Sequence, residues 1–314
     1  MIKITSLPTI AGVLLALGLS AAPAQAGPNR TWVSGMGTDS GACARAAPCK
    51  TFAFALTQTA AGGEIDVLDP ADYGMVTITK SISIVNDGDG DATIGTSSGN
   101  GVTINAGASD SVHLRGLTIA GLGSGTNGIL FNTGGNLAIE NCVIGNFLVS
   151  RIYISPSTSS SFSVSNTIVS NSSNPGILVQ PMGSAVVKGV LSKVTANNNF
   201  VAIWVAGRST TGASLNVTIV DSVASNNIAA GVTATSSSGH PAAAVTLRNV
   251  VVSNNGAAGL DAEPNAIFRV AHSVFTGNGS VVATNGGTIF SYGDNDIDGN
   301  TNNNTGALTP LAMH

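Results

Sequence analysis

A short phrase that recurs every 22–28 residues constrains the fold of this chain more than any other feature. In each copy two apolar residues alternate with polar ones, a polar turn follows, two more small or apolar residues alternate, and Asn ends the phrase. The clearest copies occupy residues 164–171, 219–226 and 247–254. The Asn residues that end successive copies are Asn146, Asn171, Asn198, Asn226 and Asn254, with two shorter copies ending at Asn278 and Asn300.

A unit of this length cannot bury its own apolar face, but it can do so by stacking on its neighbours. Each unit holds three short alternating segments separated by Asn, Gly and Ser turns, which is typical of one coil of a parallel β-helix. A leucine-rich repeat needs a fixed Leu framework, which these units lack. A propeller blade needs four strands and about 40 residues, more than these units contain. The sequence therefore predicts a single all-β parallel solenoid of about 8–10 coils.

Alternation along each strand assigns the residues that face the core, because successive side chains point to opposite faces. The first strand of a coil turns Leu137 and Ile139 inward, and the second strand turns Ile144 inward. Cys142 shares an inward column with Leu117, Thr167, Val194 and Val250, so we expect a buried thiol. The Asn residues that end the copies are expected to stack as a hydrogen-bonded ladder.

The composition excludes several alternatives. Only 9% of the residues are charged, against about 25% in an ordinary soluble domain. Exposed helix faces are normally filled with Glu, Lys and Arg, which argues against a helical bundle or a doubly wound α/β domain. A net charge of −4 argues against a nucleic-acid partner, since phosphate binding needs a basic surface. The 43% of hydrophobic residues, regularly spaced, argues against disorder.

Residues 1–26 have the pattern of a cleaved secretory signal peptide. Lys3 precedes an apolar run over residues 10–19, and Ala24-Gln-Ala26 is a small-x-small cleavage site. The run is shorter than the roughly 20 residues that a membrane-spanning helix needs. We therefore expect an exported protein, secreted or periplasmic, with no transmembrane segment in its mature chain.

Residues 27–63 are predicted to cap the solenoid. In an exported protein Cys43 and Cys49 are expected to form a disulfide, and residues 51–61 read as a short amphipathic helix ending before Gly62 and Gly63. The first coil of a solenoid has an open edge and an open core, which a helix can cover. The solenoid itself is assigned to residues 64–300, and residues 301–314 to a C-terminal tail.

The repeats, together with Arg30-Thr-Trp-Val-Ser-Gly35 and Pro48-Cys-Lys-Thr-Phe-Ala53, resemble exported bacterial β-helix proteins of unassigned function. More broadly, the chain is similar to right-handed parallel β-helix proteins of the pectate-lyase-like group. That resemblance implies a right-handed coil. It also implies a groove along the outer face of stacked strands, where members of the group act on acidic polysaccharides as lyases, hydrolases, esterases or epimerases.

The catalytic signatures of that group are missing from the sequence. Its Asn-Thr-Asp, Asp-Asp, Gly-His-Gly and Asp-Pro-His-Glu motifs do not occur. The outward columns of the first strand pass through His113 and Arg115, and neither column places two carboxylates in neighbouring coils, as glycoside hydrolysis requires. Arg115 and Glu140 are expected to form a surface ion pair one coil apart. A lyase-like arginine base is the alternative interpretation, but no calcium-binding acids accompany it.

Two groups of aspartates are weak candidates for a calcium ion. Asp294, Asp296 and Asp298 match the start of a calcium loop but lack the Glu that should follow. Asp87, Asp89 and Asp91 lie in a Gly-rich turn where acids can gather round a cation. We favour a strand whose acids face outward for the first group and a polar loop for the second. No other cofactor is expected, since the four His residues lack metal-ligand spacing.

The outward column of the third strand is the most unusual surface. It runs through Leu130, Tyr153, Leu178 and Trp204, and then Thr233 and Asp261. Tyr153 and Trp204 lie two coils apart, about 10 Å, which suits stacking on alternate sugars of a chain. Tyr153, Leu178 and Trp204 are therefore candidate ligand-binding residues. The alternative, which we favour slightly, is that a loop or the tail over residues 307–314 covers this column.

Three functions compete at this point. The first is a non-catalytic β-helix that binds polysaccharide or cell-surface glycan along an outward strand face. The second is a polysaccharide lyase or hydrolase with an unfamiliar site, and the third is a structural or adhesive solenoid with a protein partner. The first is favoured narrowly over the third, and the sequence leaves the oligomeric state open.

Overall fold

The computed structural model describes residues 27–88, 90–304 and 308–312. The predicted signal peptide and Asp89 lie outside the described residues. The described chain winds into a parallel β-solenoid of about nine turns with one short helix, as the repeat predicted. None of the helices in these ranges has the length and apolar character needed to cross a membrane.

Each turn contributes one strand to each of three sheets, and the strand pairs within every sheet are parallel. The strands of sheet 1 are Arg30–Val33, Gly63–Val67, Ile82–Val85, Ser111–Arg115, Asn136–Glu140, Ser160–Ser165, Val187–Ser192, Leu215–Val220, Ala243–Arg248, Ala266–Ala271, Thr288–Ser291 and Leu308–Pro310. Those of sheet 2 are Ala71–Asp72, Ala92–Gly95, Leu117–Ala120, Val143–Gly145, Ile168–Ser172, Thr195–Asn199, Val223–Ser225, Val251–Ser253, Val274–Thr276 and Asp296–Ile297. Those of sheet 3 are Val76–Ile78, Val102–Asn105, Asn127–Thr133, Ser150–Ile154, Ile177–Val179, Ile203–Ala206, Ala230–Thr235, Ala258–Ala262 and Ser280–Thr284.

The core runs along the axis of the solenoid as stacked columns of like side chains. Leu137 pairs in register with Phe162, and Ile139 with Val164, and all four are buried. Cys142 is buried as well. Ile144 of sheet 2 is buried too, so the inward assignments made for the first two strands and for Cys142 are confirmed.

The N-terminal end is closed by the helix Phe52–Gln58 and by the Cys43–Cys49 disulfide. Thr51 caps the helix by accepting a hydrogen bond from the Phe54 amide. The helix ends earlier than residue 61, because Thr59 is already extended and its hydroxyl bonds to Thr31 in the first strand. This contact joins the end of the helix to sheet 1.

Sheet 1 extends past both ends predicted for the solenoid. Arg30–Val33, within the predicted cap, pairs with Gly63–Val67. Leu308–Pro310, within the predicted tail, pairs with Thr288–Ser291. Leu308–Pro310 thus continues sheet 1, while Asn302 bridges Ser280 in the last strand of sheet 3.

The buried asparagine ladder differs in part from the predicted one. In the five longer copies the final Asn is exposed and has positive φ, for example 57° at Asn226 and 55° at Asn254, whereas the predicted Asn278 and Asn300 are buried members of the ladder. Asn tolerates this left-handed conformation, so these residues turn the chain. The next residue then points inward, and the buried ladder is formed by Asn199, Asn227, Asn255, Asn278 and Asn300.

Candidate functional site

The outward column of sheet 3 is continuous in the structure. Leu130 pairs in register with Tyr153, Tyr153 with Leu178, and Leu178 with Trp204. The register continues through Thr233 and Asp261. The four apolar side chains are half-buried, so each presents part of its surface to solvent. The column predicted from alternation is therefore present, and we call it the sheet 3 groove.

Loops on one side of the groove contact its two aromatic residues, at the hydroxyl of Tyr153 and over the ring of Trp204. The hydroxyl of Tyr153 donates to Gln180 Oε1 at 2.8 Å, and Gln180 Nε2 donates to Ser209 Oγ at 3.2 Å. The guanidinium of Arg208 lies 5.8 Å from the centroid of the Trp204 ring. These loops cover the groove only in part, since Tyr153 and Trp204 remain half-buried.

A cavity of about 400 Å³ opens beside Trp204. The side chains of the column become smaller there, because the residues that follow Trp204 in register are Thr233, Asp261 and then Ala283. Small residues also form the nearby wall of the cavity, namely Ala229, Ala230, Ala257 and Ala258. The large indole ring thus stands next to a depression lined by small residues.

Two carboxylates, Asp261 and Glu263, line this cavity. Asp261 lies in the strand Ala258–Ala262, and Glu263 follows directly after it. Side chains two residues apart along an extended chain leave the backbone on the same side. Asn285 Nδ2 donates to Asp261 Oδ1 at 3.1 Å. Burial raises the pKa of Asp261, and the nearby charge of Glu263 raises it further. Glu263 and Asn285 were missed at the sequence level, although the outward parity of position 261 extends to position 263.

A second cavity, of about 630 Å³, lies at the other end of the same face. Its floor includes Thr77 and Thr103, which precede Leu130 in register, and its wall includes Leu56 of the helix. Lys80 also lines it, donates to the carbonyl of Thr59 and has a pKa lowered by burial. The capping helix therefore also bounds the groove.

The predicted Arg115–Glu140 ion pair is wrong. The two residues do lie opposite each other in register, but Arg115 Nη2 lies 3.1 Å from Asp87 Oδ1, in the turn of the preceding coil. Glu140 Oε2 lies 3.4 Å from His113 Nε2 instead. Among the aspartates of the Gly-rich turn, Asp87 therefore pairs with Arg115, Asp91 is exposed, and Asp89 lies outside the described residues.

The aspartate group of Asp294, Asp296 and Asp298 is spread over a strand and its turns. Asp294 lies 3.1 Å from His272 Nδ1 and also accepts the His272 amide. Asp296 is exposed in the strand Asp296–Ile297, and Asp298 accepts the amide of Gly299. Over residues 27–88, 90–304 and 308–312, His, Cys, Asp and Glu side chains form no group of three that could hold a metal ion.

Comparison with known proteins places the fold. No family model matches the sequence, and no curated protein matches it. The structure is similar to that of the pectate lyase Pel9A, with a TM-score of 0.62 and 15% identity over 85% of this chain and 75% of that one. The A-module of the mannuronan C-5 epimerase AlgE4 of Azotobacter vinelandii gives a TM-score of 0.46 and 14% identity, over 81% of this chain and 90% of that one. The first likeness confirms the pectate-lyase-like β-helix fold expected from the sequence.

Proposed function

We propose that this protein binds a polysaccharide or a cell-surface glycan along the sheet 3 groove. The observation that carries the proposal is the in-register series Tyr153, Leu178 and Trp204, half-exposed on the outer face. The two aromatic residues lie two strands apart, about 10 Å, so that they can stack on alternate sugars of an extended chain.

The chemistry of the groove suits a sugar. Aromatic faces supply a large contact area at a low cost in side-chain entropy, and a pyranose offers a matching face of C–H groups. Gln180 and Ser209 lie at the edge of the aromatic surface, where they can meet sugar hydroxyls. The disulfide supports a location outside the reducing cytosol, where such ligands occur.

The proposal is tested by Trp204→Ala on a glycan array, followed by calorimetry with the ligand that binds best. We expect binding to weaken by about 10- to 100-fold, the usual range for an interface anchor. Trp32→Ala is the matched control, since Trp32 is equally half-buried but lies in sheet 1. Equal effects of the two substitutions, or no glycan bound by the parent protein, would overturn the proposal.

A second candidate function is glycoside hydrolysis at the cavity beside Trp204. The observation that favours it is the pair Asp261 and Glu263, with the pKa of Asp261 raised by burial. Hydrolysis needs one carboxylic acid to protonate the leaving oxygen and one carboxylate to take a proton from water. Asp261 suits the first role and Glu263 the second.

Release of reducing ends from a panel of polysaccharides tests this second candidate. Asp261→Asn and Glu263→Gln should each abolish turnover while a bound glycan is retained. If the parent protein binds a glycan without cleaving it, the groove is a binding site alone.

A further inference from the structure

The charge of the cavity beside Trp204 narrows the class of sugar that it can accept. Of the described residues that line it, Asp261 and Glu263 are acidic, and none is Lys, Arg or His. Arg208 is exposed and lies over the Trp204 ring, but it does not line the cavity. An anionic sugar would therefore meet two like charges in a half-buried site, where such repulsion is strong.

We propose that this cavity selects an amino sugar with a free amine, whose ammonium is held by the carboxylates of Asp261 and Glu263 while the pyranose ring lies on Trp204. The inference depends on the proposed glycan-binding function. It differs from a general preference for sugars because it predicts that acetylating the amine removes the selectivity.

Two features of the cavity support a bound cation. Asp261 is partly desolvated and lies beside Glu263, a state that a cation in the cavity stabilises by supplying the missing opposite charge. An ammonium has three donors and no acceptor, and the polar lining offers acceptors in Asp261, Glu263 and the Thr233 hydroxyl.

A third feature supports a sugar as the carrier of that cation. The half-buried indole of Trp204 lines the same cavity as both carboxylates, and an aromatic face offers a large contact area to the C–H face of a pyranose. A simple inorganic cation would make no use of this aromatic surface.

Calorimetry with four oligomers of equal length tests the inference: glucosamine, N-acetylglucosamine, galacturonic acid and lysine. We expect the glucosamine oligomer to bind at least about 10-fold more tightly than the other three. The double variant Asp261→Asn, Glu263→Gln should reduce its affinity to that of the acetylated oligomer. Asp221→Asn is the control, because Asp221 is an exposed turn residue of sheet 1 whose position is occupied by Asn in other coils.

Each remaining outcome overturns the inference in a distinguishable way. If the acetylated oligomer binds as well as the free amine, and Trp204→Ala weakens both, the inference fails and the proposed function stands. Tighter binding of the galacturonic acid oligomer also refutes it. If the lysine oligomer binds equally well and is insensitive to Trp204→Ala, the site recognises a basic peptide. If no oligomer and no other glycan binds, the proposed function fails as well.

Discussion

At the scale of single residues, alternation predicted the side chains in regular strand positions and failed where a strand begins. Arg151 is fully buried, in a column that holds Gly128, Gly176 and Ala202 in the neighbouring coils. In the strand Ser150–Ile154 the first three residues are all buried, because the chain is still turning there. A rule of strict alternation places Arg151 outside, so the sequence could not reveal it.

Arg151 is expected to stabilise the turn before its strand. Its Nε donates to the carbonyl of Ser170 at 2.8 Å, and its Nη1 donates to the carbonyl of Phe147. Arg151→Ala would leave a cavity and two buried carbonyls without these donors, and should lower the free energy of unfolding by about 3–5 kcal/mol. Arg151→Lys keeps the positive charge but loses the planar guanidinium that reaches both carbonyls. It should lower the free energy of unfolding by about 1–3 kcal/mol. Urea denaturation measures both, and equal stability of all three proteins would contradict this role.

Cys142 shows where sequence reasoning succeeds, since its inward column was read from the repeat alone. Burial raises the pKa of its thiol from 9.0 to about 11, which at pH 8 lowers the thiolate fraction about 100-fold. We expect a disulfide-exchange reagent to label native Cys142 at least about 100-fold more slowly than the urea-unfolded protein. Because the folded state holds this proton more tightly, the thiol's contribution to stability is lost as the pH rises from 9 through 11. Rapid native labelling would refute the burial.

At the scale of elements, pairs of adjacent asparagines left the ladder ambiguous by one residue. Asn226-Asn227 and Asn254-Asn255 both offer two candidates, and composition cannot tell them apart. Backbone conformation decides, because the first of each pair takes positive φ and the second turns its amide inward. The two positions therefore carry out different tasks with the same side chain.

This difference predicts that substitution at the two positions changes the stability by different amounts. Asn227 Nδ2 donates to Asn255 Oδ1 at 2.8 Å and to the carbonyl of Ser225 at 3.0 Å, while its own Oδ1 accepts from the Asn199 amide at 3.0 Å. Asn227→Ala should cost about 2–4 kcal/mol, since buried partners lose their bonds. Asn226→Gly should change stability by less than about 1 kcal/mol, because Gly adopts positive φ readily. Thermal unfolding measures both, and a larger loss in Asn226→Gly would restore the original alignment.

At the scale of the whole molecule, the number of coils and the three strands per coil followed from the repeat, whereas the extension of sheet 1 at both ends and the cavity did not. A solenoid is stabilised mainly by contacts between neighbouring coils, so the period determines its middle. The outward column of the sheet 3 groove could be predicted from the sequence for the same reason. The depression beside Trp204 arises because the later coils carry small residues, and its volume depends on packing that alternation does not describe.

The disulfide segment covers the open edge of sheet 1. The Trp32 amide donates to the Cys43 carbonyl at 2.9 Å, the Cys49 amide donates to the Trp32 carbonyl at 3.0 Å, and the Ser34 amide donates to the Cys49 carbonyl at 2.9 Å. These bonds occupy the free side of the strand Arg30–Val33, which would otherwise be an exposed edge. The bridge spans a separation of six residues and should contribute about 2 kcal/mol.

Replacing both cysteines by serine should therefore loosen the first coils and leave the middle of the solenoid unchanged. We expect amide hydrogen exchange to accelerate in Arg30–Val33 and Gly63–Val67, because the edge loses its cover and coupling passes only from one coil to the next. Exchange in Leu215–Val220 should stay within error of the parent protein. Asn227→Ala serves as the reciprocal control, since it should accelerate exchange in the central coils and spare the N-terminal ones. If the double cysteine variant instead accelerates exchange uniformly along the chain, the molecule unfolds as one unit and the coil-by-coil view of its stability is wrong.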